Sequence, residues 1–338
     1  MRSIAALLLL SVLSTAAQTE ICGQAAESFR EHRWAEAADQ FQKCETESPG
    51  KTDALLYRGK SLVNTATFDE AATSLESYVS AHPQSDDALY LLGYVRFRQD
   101  KPRESLELFA RAAKLKEPHA GDLKIAALDH VLLNDYSNAA MYLEKSLQMN
   151  PQDLEARYHL GRVRYQQNRF DAAITAFQEV LRSNPNDVKA QDNLGLCLEA
   201  KGQIEAAQNS YRKAIELDSL APVHTEQPYL NLGKLLTVLN REGEALPLFQ
   251  QAATIGPNSA AVRYELGRVR FSQGKSDEAR AELERAVRLD PDNSSYHYLL
   301  GRIYKRLGET QQAAAQFKVT EELMRRQNAK SGGMGSPQ

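Results

Sequence analysis

The sequence has no large excess of one charge: 41 lysines and arginines face 44 aspartates and glutamates in 338 residues. The strongly basic face that nucleic-acid binders carry is therefore not expected. Nor does the sequence hold the motifs of common active sites. There is no G-x-S-x-G elbow and no H-E-x-x-H pair. The seven histidines are scattered without ligand spacing. Three Gly-Lys-Thr/Ser triplets, at Gly50, Gly59 and Gly274, resemble the end of a phosphate-binding loop. Such a loop needs another glycine five residues earlier, where Glu45, Ala54 and Val269 stand. The chain is read as non-enzymatic, with no cofactor and no metal. After residue 17, no run is long and apolar enough to cross a bilayer, which takes ~20 residues.

The first seventeen residues differ from the rest. Arg2 supplies a positive start, Ile4 to Leu13 is mostly aliphatic, and Thr15-Ala16-Ala17 offers small residues before Gln18. This layout is that of a secretory signal peptide cut after Ala17, which implies a periplasmic or secreted protein. A retained anchor is the alternative, but the apolar run is about half the spanning length.

What is present in abundance is repetition. Gly59, Gly93, Gly161, Gly195, Gly233, Gly267 and Gly301 are spaced by 34, 68, 34, 38, 34 and 34 residues, with Ala127 midway in the long gap and Ala25 one step before the first. Twelve residues after each comes Ala37, Ala71, Ser105, Ala139, Ala173, Ala207, Ala245, Ala279 or Ala313. Four further on stands a bulky side chain: Phe41, Leu75, Phe109, Leu143, Phe177, Tyr211, Phe249, Leu283 or Phe317. Pro49, Pro83, Pro151, Pro185, Pro257 and Pro291 close most units. Small residues on two helices let their backbones approach, the large side chain fills the wedge beside the crossing, and proline ends the second helix.

In these residues the chain resembles the tetratricopeptide repeat, whose units carry a small residue at position 8, alanine at 20, an aromatic at 24 and proline at 32. Leu92, Leu160, Leu194, Leu232, Leu266 and Leu300 add its leucine at position 7. The resemblance implies an all-α fold, a right-handed α-α superhelical solenoid of about nine helical hairpins. Its units fall at 18–51, 52–85, 86–119, 120–153, 154–187, 188–221, 226–259, 260–293 and 294–327. Residues 222–225 are a four-residue insertion, expected to form a longer loop. Residues 328–338 are expected to be a disordered tail, so the ninth unit must cap itself through Glu321, Glu322, Arg325 and Arg326. The family's chaperone-tail clamp is not expected, since Lys124 meets its requirement but Leu128 replaces its asparagine.

Cys197 stands where other units have valine, leucine or isoleucine, and is read as a buried thiol. Cys22 and Cys44 lie at ends of antiparallel helices that come together, so they form either a disulfide or two small apolar contacts. Asn293-Ser294-Ser295 matches a glycosylation sequon but falls on a repeat turn, and is read as turn chemistry.

The resemblance also implies a binding groove lined by unit positions 2, 5, 9 and 12. Positions 5, 9 and 12 share one helix face. They give Tyr90, Tyr94 and Phe97; Tyr158, Arg162 and Tyr165; Tyr264, Arg268 and Phe271; and Tyr298, Arg302 and Lys305. Position 9 adds Leu128 and Lys234, and of its nine residues five are basic and none is acidic. The expectation is a cationic, tyrosine-lined groove that binds another protein or an extended peptide of acidic or aromatic character. The opposing reading is a solvated face whose cations pair with neighbouring acids. The function expected is a protein–protein interaction scaffold or adaptor in the cell envelope, with no nucleic acid and no membrane span after leader cleavage. The alternatives are a self-associating structural solenoid forming a homodimer, or an accessory subunit of a cell-wall, polysaccharide or secretion machine.

Overall fold

The computed structural model describes residues 20–47, 49–50 and 53–332. The leader read at 1–17 and residues 333–338 of the tail lie outside them. Eighteen helices and no strand are found among the described residues. In chain order they are α1 (20–30), α2 (Trp34–Glu47), α3 (Ala54–Asn64), α4 (Phe68–Ala81), α5 (Asp86–Arg98), α6 (Pro102–Ala112), α7 (Ala120–Leu132), α8 (Tyr136–Met149) and α9 (Leu154–Gln166). Then follow α10 (Phe170–Ser183), α11 (Val188–Ala200), α12 (Ile204–Ser219), α13 (Gln227–Val238), α14 (Glu242–Ile255), α15 (Ala260–Ser272), α16 (Ser276–Leu289), α17 (Ser294–Arg306) and α18 (Thr310–Gly332). They form two compact units, one ending at Arg169 and one beginning at Phe170. Within each, successive helices pack as antiparallel hairpins and each hairpin packs on the next.

The crossing of the two helices in a hairpin is as tight as the small residues allow. A methyl group added at Gly233 would sit 2.5 Å from the Phe249 ring, and one at Gly195 would sit 2.5 Å from Tyr211. At Gly59 and Gly301 the same addition meets Leu75 at 2.6 Å and Phe317 at 2.7 Å. The large side chain is thus pressed onto bare backbone, and Phe249, Tyr211, Leu75 and Leu283 are fully buried.

The turn between the two helices is equally uniform. The residue at unit position 15 has a positive φ in every unit: His32, Ala66, Asp100, Asn134, Asn168 and Asn240, and Gly202, Gly274 and Gly308. Single αL residues are tolerated by glycine and asparagine and strained for others, so Ala66 and His32 are held there by the helices on either side. Pro83, Pro151, Pro185, Pro257 and Pro291 each stand two positions after the last residue of a second helix. The next helix is then capped: Ser85, Asp153 and Asp187 accept hydrogen bonds from the backbone N–H groups of Ala88, Ala156 and Ala190.

Neighbouring hairpins are stitched by a recurring arginine at unit position 11. Buried Arg96 donates to Gln99 Oε1 at 2.6 Å and pairs with Glu76 on α4 and with Glu104 at 2.9 Å. Arg164 repeats this with Gln167 and with Glu144 on α8. The insertion at 222–225 does form a loop. Buried Asp218 at the end of α12 accepts the Thr225 N–H at 2.8 Å and faces the His224 ring at 3.4 Å. One expectation is corrected: residues 328–332 are helical, because α18 continues to Gly332 instead of stopping with the repeat. The Arg325–Glu321 pair of this helix is exposed.

Asp129 breaks the pattern. It is fully buried on α7 at the unit position held elsewhere by Val95, Val163, Leu235, Val269 and Ile303. Neither carboxylate oxygen has a hydrogen-bond partner. Burial pushes its pKa up to about 7; the nearby Ser105 hydroxyl offsets this only in part, since it donates to the Gly93 carbonyl at 2.9 Å. A carboxyl whose folded pKa is raised favours the folded state below its unfolded pKa, and this contribution is lost as pH rises through about 7.

Two measurements follow from this packing. Gly233→Ala destabilises the chain by about 1–3 kcal/mol in urea, because the fully buried Phe249 ring has no room to retreat. Gly121→Ala, with nothing within 4 Å, does not; equal effects would contradict the wedge. Asp129→Val raises stability by about 2 kcal/mol at pH 8 and by much less at pH 4, so that the pH dependence of unfolding flattens between them. A variant with the wild-type pH profile would show that Asp129 is not strained by burial.

Candidate partner-binding site

In the first unit, the face formed by unit positions 5, 9 and 12 is partly consumed by packing. Tyr90 is buried, its ring 5.9 Å from Phe109 and its hydroxyl donating to the Lys116 carbonyl at 2.8 Å. Burial pushes its phenol up to about 12. It is therefore a core residue rather than a groove residue, drawn in where α6 stops early at Ala112. Tyr94, Phe97 and Leu128 are half-buried. Lys60 is held by Asp87 at 2.5 Å, and Lys124 by Asp153 at 3.0 Å and Glu155 at 2.6 Å. On α9, Tyr158 and Tyr165 are half-buried, while Arg162 is exposed and makes no ion pair among the described residues.

In the second unit the same face changes character from helix to helix. On α11, Asp192 is buried and accepts the Asn231 side-chain amide of α13 with both oxygens at 3.0 Å. Burial pushes its pKa up to about 7, against the lowering effect of that hydrogen bond. Position 12 of α11 is Glu199, which accepts the Tyr211 hydroxyl at 2.7 Å. On α13, Lys234 is exposed with no ion pair among the described residues. On α15, Arg268 is engaged by buried Glu265 at 2.5 Å, and half-buried Tyr264 lies with its ring tilted against Tyr296, 4.9 Å between centres, its phenol raised by burial.

Helices α15 and α17 bring the remaining candidates together. Tyr298 is 49% exposed. The Arg302 guanidinium lies 5.6 Å from the Phe271 ring centre and 6.0 Å from that of Tyr298, and Arg306 lies 5.3 Å from Phe271. The second reading, paired surface charges, thus holds for Lys60, Lys124 and Arg268, but Arg162, Lys234 and Arg302 have no acidic partner among the described residues. Arg306 lay outside the positions singled out in the sequence, as did Arg98. Arg98 sits 4.2 Å from the Phe68 ring centre and donates to the Tyr94 hydroxyl at 2.8 Å. Both arginines occupy unit position 13, one residue beyond the face considered, and their common register is the signal that could have found them.

No group of side chains among the described residues could hold a metal ion. Cys197 is buried, and burial pushes its thiol up to about 12, which makes it unreactive. Cys22 and Cys44 are bonded, with Cα atoms 5.1 Å apart. No helix among the described residues is long and apolar enough to cross a membrane.

Models of the tetratricopeptide repeat match residues 56–120, 131–195, 188–219, 240–303 and 294–318. No curated protein matches the chain in sequence. Among solved structures, a tetratricopeptide repeat protein from Parabacteroides merdae is similar with a TM-score of 0.57, over 75% of this chain and 99% of that one, at 16% identity. Yeast Tom70 is similar with a TM-score of 0.56, over 89% of this chain and 62% of that one, at 19% identity. A chain of the APC/C hetero-tetramer Cut9–Hcn1 gives 0.58, over 84% and 55%, at 16% identity. At these identities the likeness is one of fold.

The disulfide ties α1 to α2 beside a small core that includes Ala25, Ala37 and Phe41. Closing a loop of this length removes about 3 kcal/mol of unfolded-state entropy. With reductant, the amides of α2 lose about that much protection from hydrogen exchange, while those of α15 and α17 are unchanged; α2 protection that survives reduction would contradict this role.

Proposed function

Because the chain belongs to the tetratricopeptide repeat family, we propose that it is a non-catalytic interaction scaffold of the cell envelope, binding a partner protein or extended peptide along the faces of its first helices. The observation that carries the reading is that side chains on these faces are left over after the fold is packed. Arg162, Lys234 and Arg302 are exposed and make no ion pair among the described residues, although acids outnumber bases in the chain. Tyr298 is exposed beside Arg302. A large apolar group and unpaired cations kept out of the core are the usual ingredients of interface anchors. The leader at residues 1–17 and the Cys22–Cys44 bond both fit an oxidising, extracytoplasmic compartment.

The test is site-directed photocrosslinking in intact cells. A crosslinker at position 162 or 234 gives one discrete adduct, recovered from the envelope fraction and identified by mass spectrometry. The same group at Lys145, exposed on the second helix α8, gives none. Adducts of equal strength from all three positions, or from Lys145 alone, would refute the assigned face. Recovery in the cytosol would refute the assigned compartment.

A further inference from the structure

Resting on that reading, we infer that α15 and α17 form a recognition site for an acidic segment of the partner protein, with its carboxylates on Arg302, Lys305 and Arg306 and an apolar side chain on the shelf made by Tyr298 and Phe271. Helix α17 carries these three cations and neither aspartate nor glutamate. Two acids that border this pair of helices are already engaged. Glu265, the one acid of α15, is buried under Arg268 at 2.5 Å, and Glu309, just past α17, accepts Arg280 at 2.7 Å. Arg302, Lys305 and Arg306 make no ion pair among the described residues and stand within one and a half turns of one another.

What holds the two arginines is the rings. Arg302 lies across Phe271 and Tyr298, and Arg306 lies against Phe271 from one turn further on. Cation–π attraction at these distances draws the guanidinium groups to the rings without using their N–H donors, so part of the ordering of these long side chains precedes the ligand. An arriving carboxylate finds planar donors that match it in pairs. The rings themselves are half-covered, Phe271 between the helices and Tyr298 at 49% exposure, which leaves a ledge for one apolar side chain. The combination suits a short peptide in which acidic and apolar residues alternate.

A long polyanion such as a sulfated polysaccharide suits it less. Such a chain needs a continuous basic track, and within this unit the track is broken. Arg268 is neutralised, and α11 presents Glu199 and buried Asp192 on the corresponding positions.

Fluorescence anisotropy with a labelled peptide of alternating glutamate and phenylalanine tests the site on the full chain. The wild type binds it, salt weakens the binding, and Arg302→Glu with Arg306→Glu weakens it about tenfold or more. Arg285→Glu with Arg288→Glu on the second helix α16 changes the net charge equally and leaves it unchanged. Should the first pair fail to fold, Arg302→Gln with Arg306→Gln reads the same loss. Equal loss from both pairs would mean unspecific attraction, and heparin binding that depends on Arg302 and Arg306 without peptide binding would mean a polysaccharide ligand; either overturns the inference. Absence of peptide binding also overturns it, yet leaves the scaffold standing if the adducts at positions 162 and 234 persist.

Discussion

The contact on which the rest depends is the one between a bare glycine on the first helix of a hairpin and the large side chain on the second. At Gly233 and Phe249, or Gly195 and Tyr211, ring and backbone meet with no space for a single carbon between them. Close approach sets the distance between the helices, and that distance sets the register of everything else. Repeated at intervals of 34 residues, it brings position 11 of one hairpin to the second helix of the hairpin before it. There Arg96 finds Glu76 and Arg164 finds Glu144. A packing rule at one position thus becomes an electrostatic rule between neighbours.

The same geometry decides which residues are spare. Positions 3, 7, 8 and 10 of the first helix face the hairpin core, and position 11 faces the neighbour. Positions 5, 9, 12 and 13 are left with partial work. Where an acid lies within reach, as Asp87 does for Lys60, the position is absorbed into the fold. Where none does, as at Arg302 and Arg306, the side chain rests on a ring and keeps its hydrogen-bond donors. Asp129 marks the opposite case, an acid carried into position 10, which the register buries, and burial pushes its pKa up to about 7, as it does for Asp192 at position 5.

Most of the helical architecture could be read from the sequence because its signals recur. A glycine, an alanine, a bulky residue and a proline at fixed offsets say the same thing many times over. The binding face was harder to read. Tyr90 and Tyr298 occupy the same unit position, yet one is buried with its hydroxyl bonded and the other is half-exposed. The difference lies in how far α6 runs, which no repeat position encodes. Charge pairing was also hidden, because Lys60 meets Asp87 from the first helix of the next hairpin and Arg268 meets Glu265 from its own helix. The tail from Asn328, with its serines and glycines, is expected to be disordered, but helix α18 carries it on to Gly332 by continuation from a well-packed start. Arg98 and Arg306 escaped notice because position 13 lies just outside the family's usual face.

Hydroxyl-radical footprinting of the chain with its photocrosslinked partner tests the central claim most directly, since it reads the solvent exposure of single side chains. The account predicts that Tyr298 and Phe271 lose reactivity on binding while Met141 and Met149, exposed on the second helix α8, keep theirs. Protection of Met141 and Met149 with Tyr298 unchanged would place the partner on the second helices and contradict it.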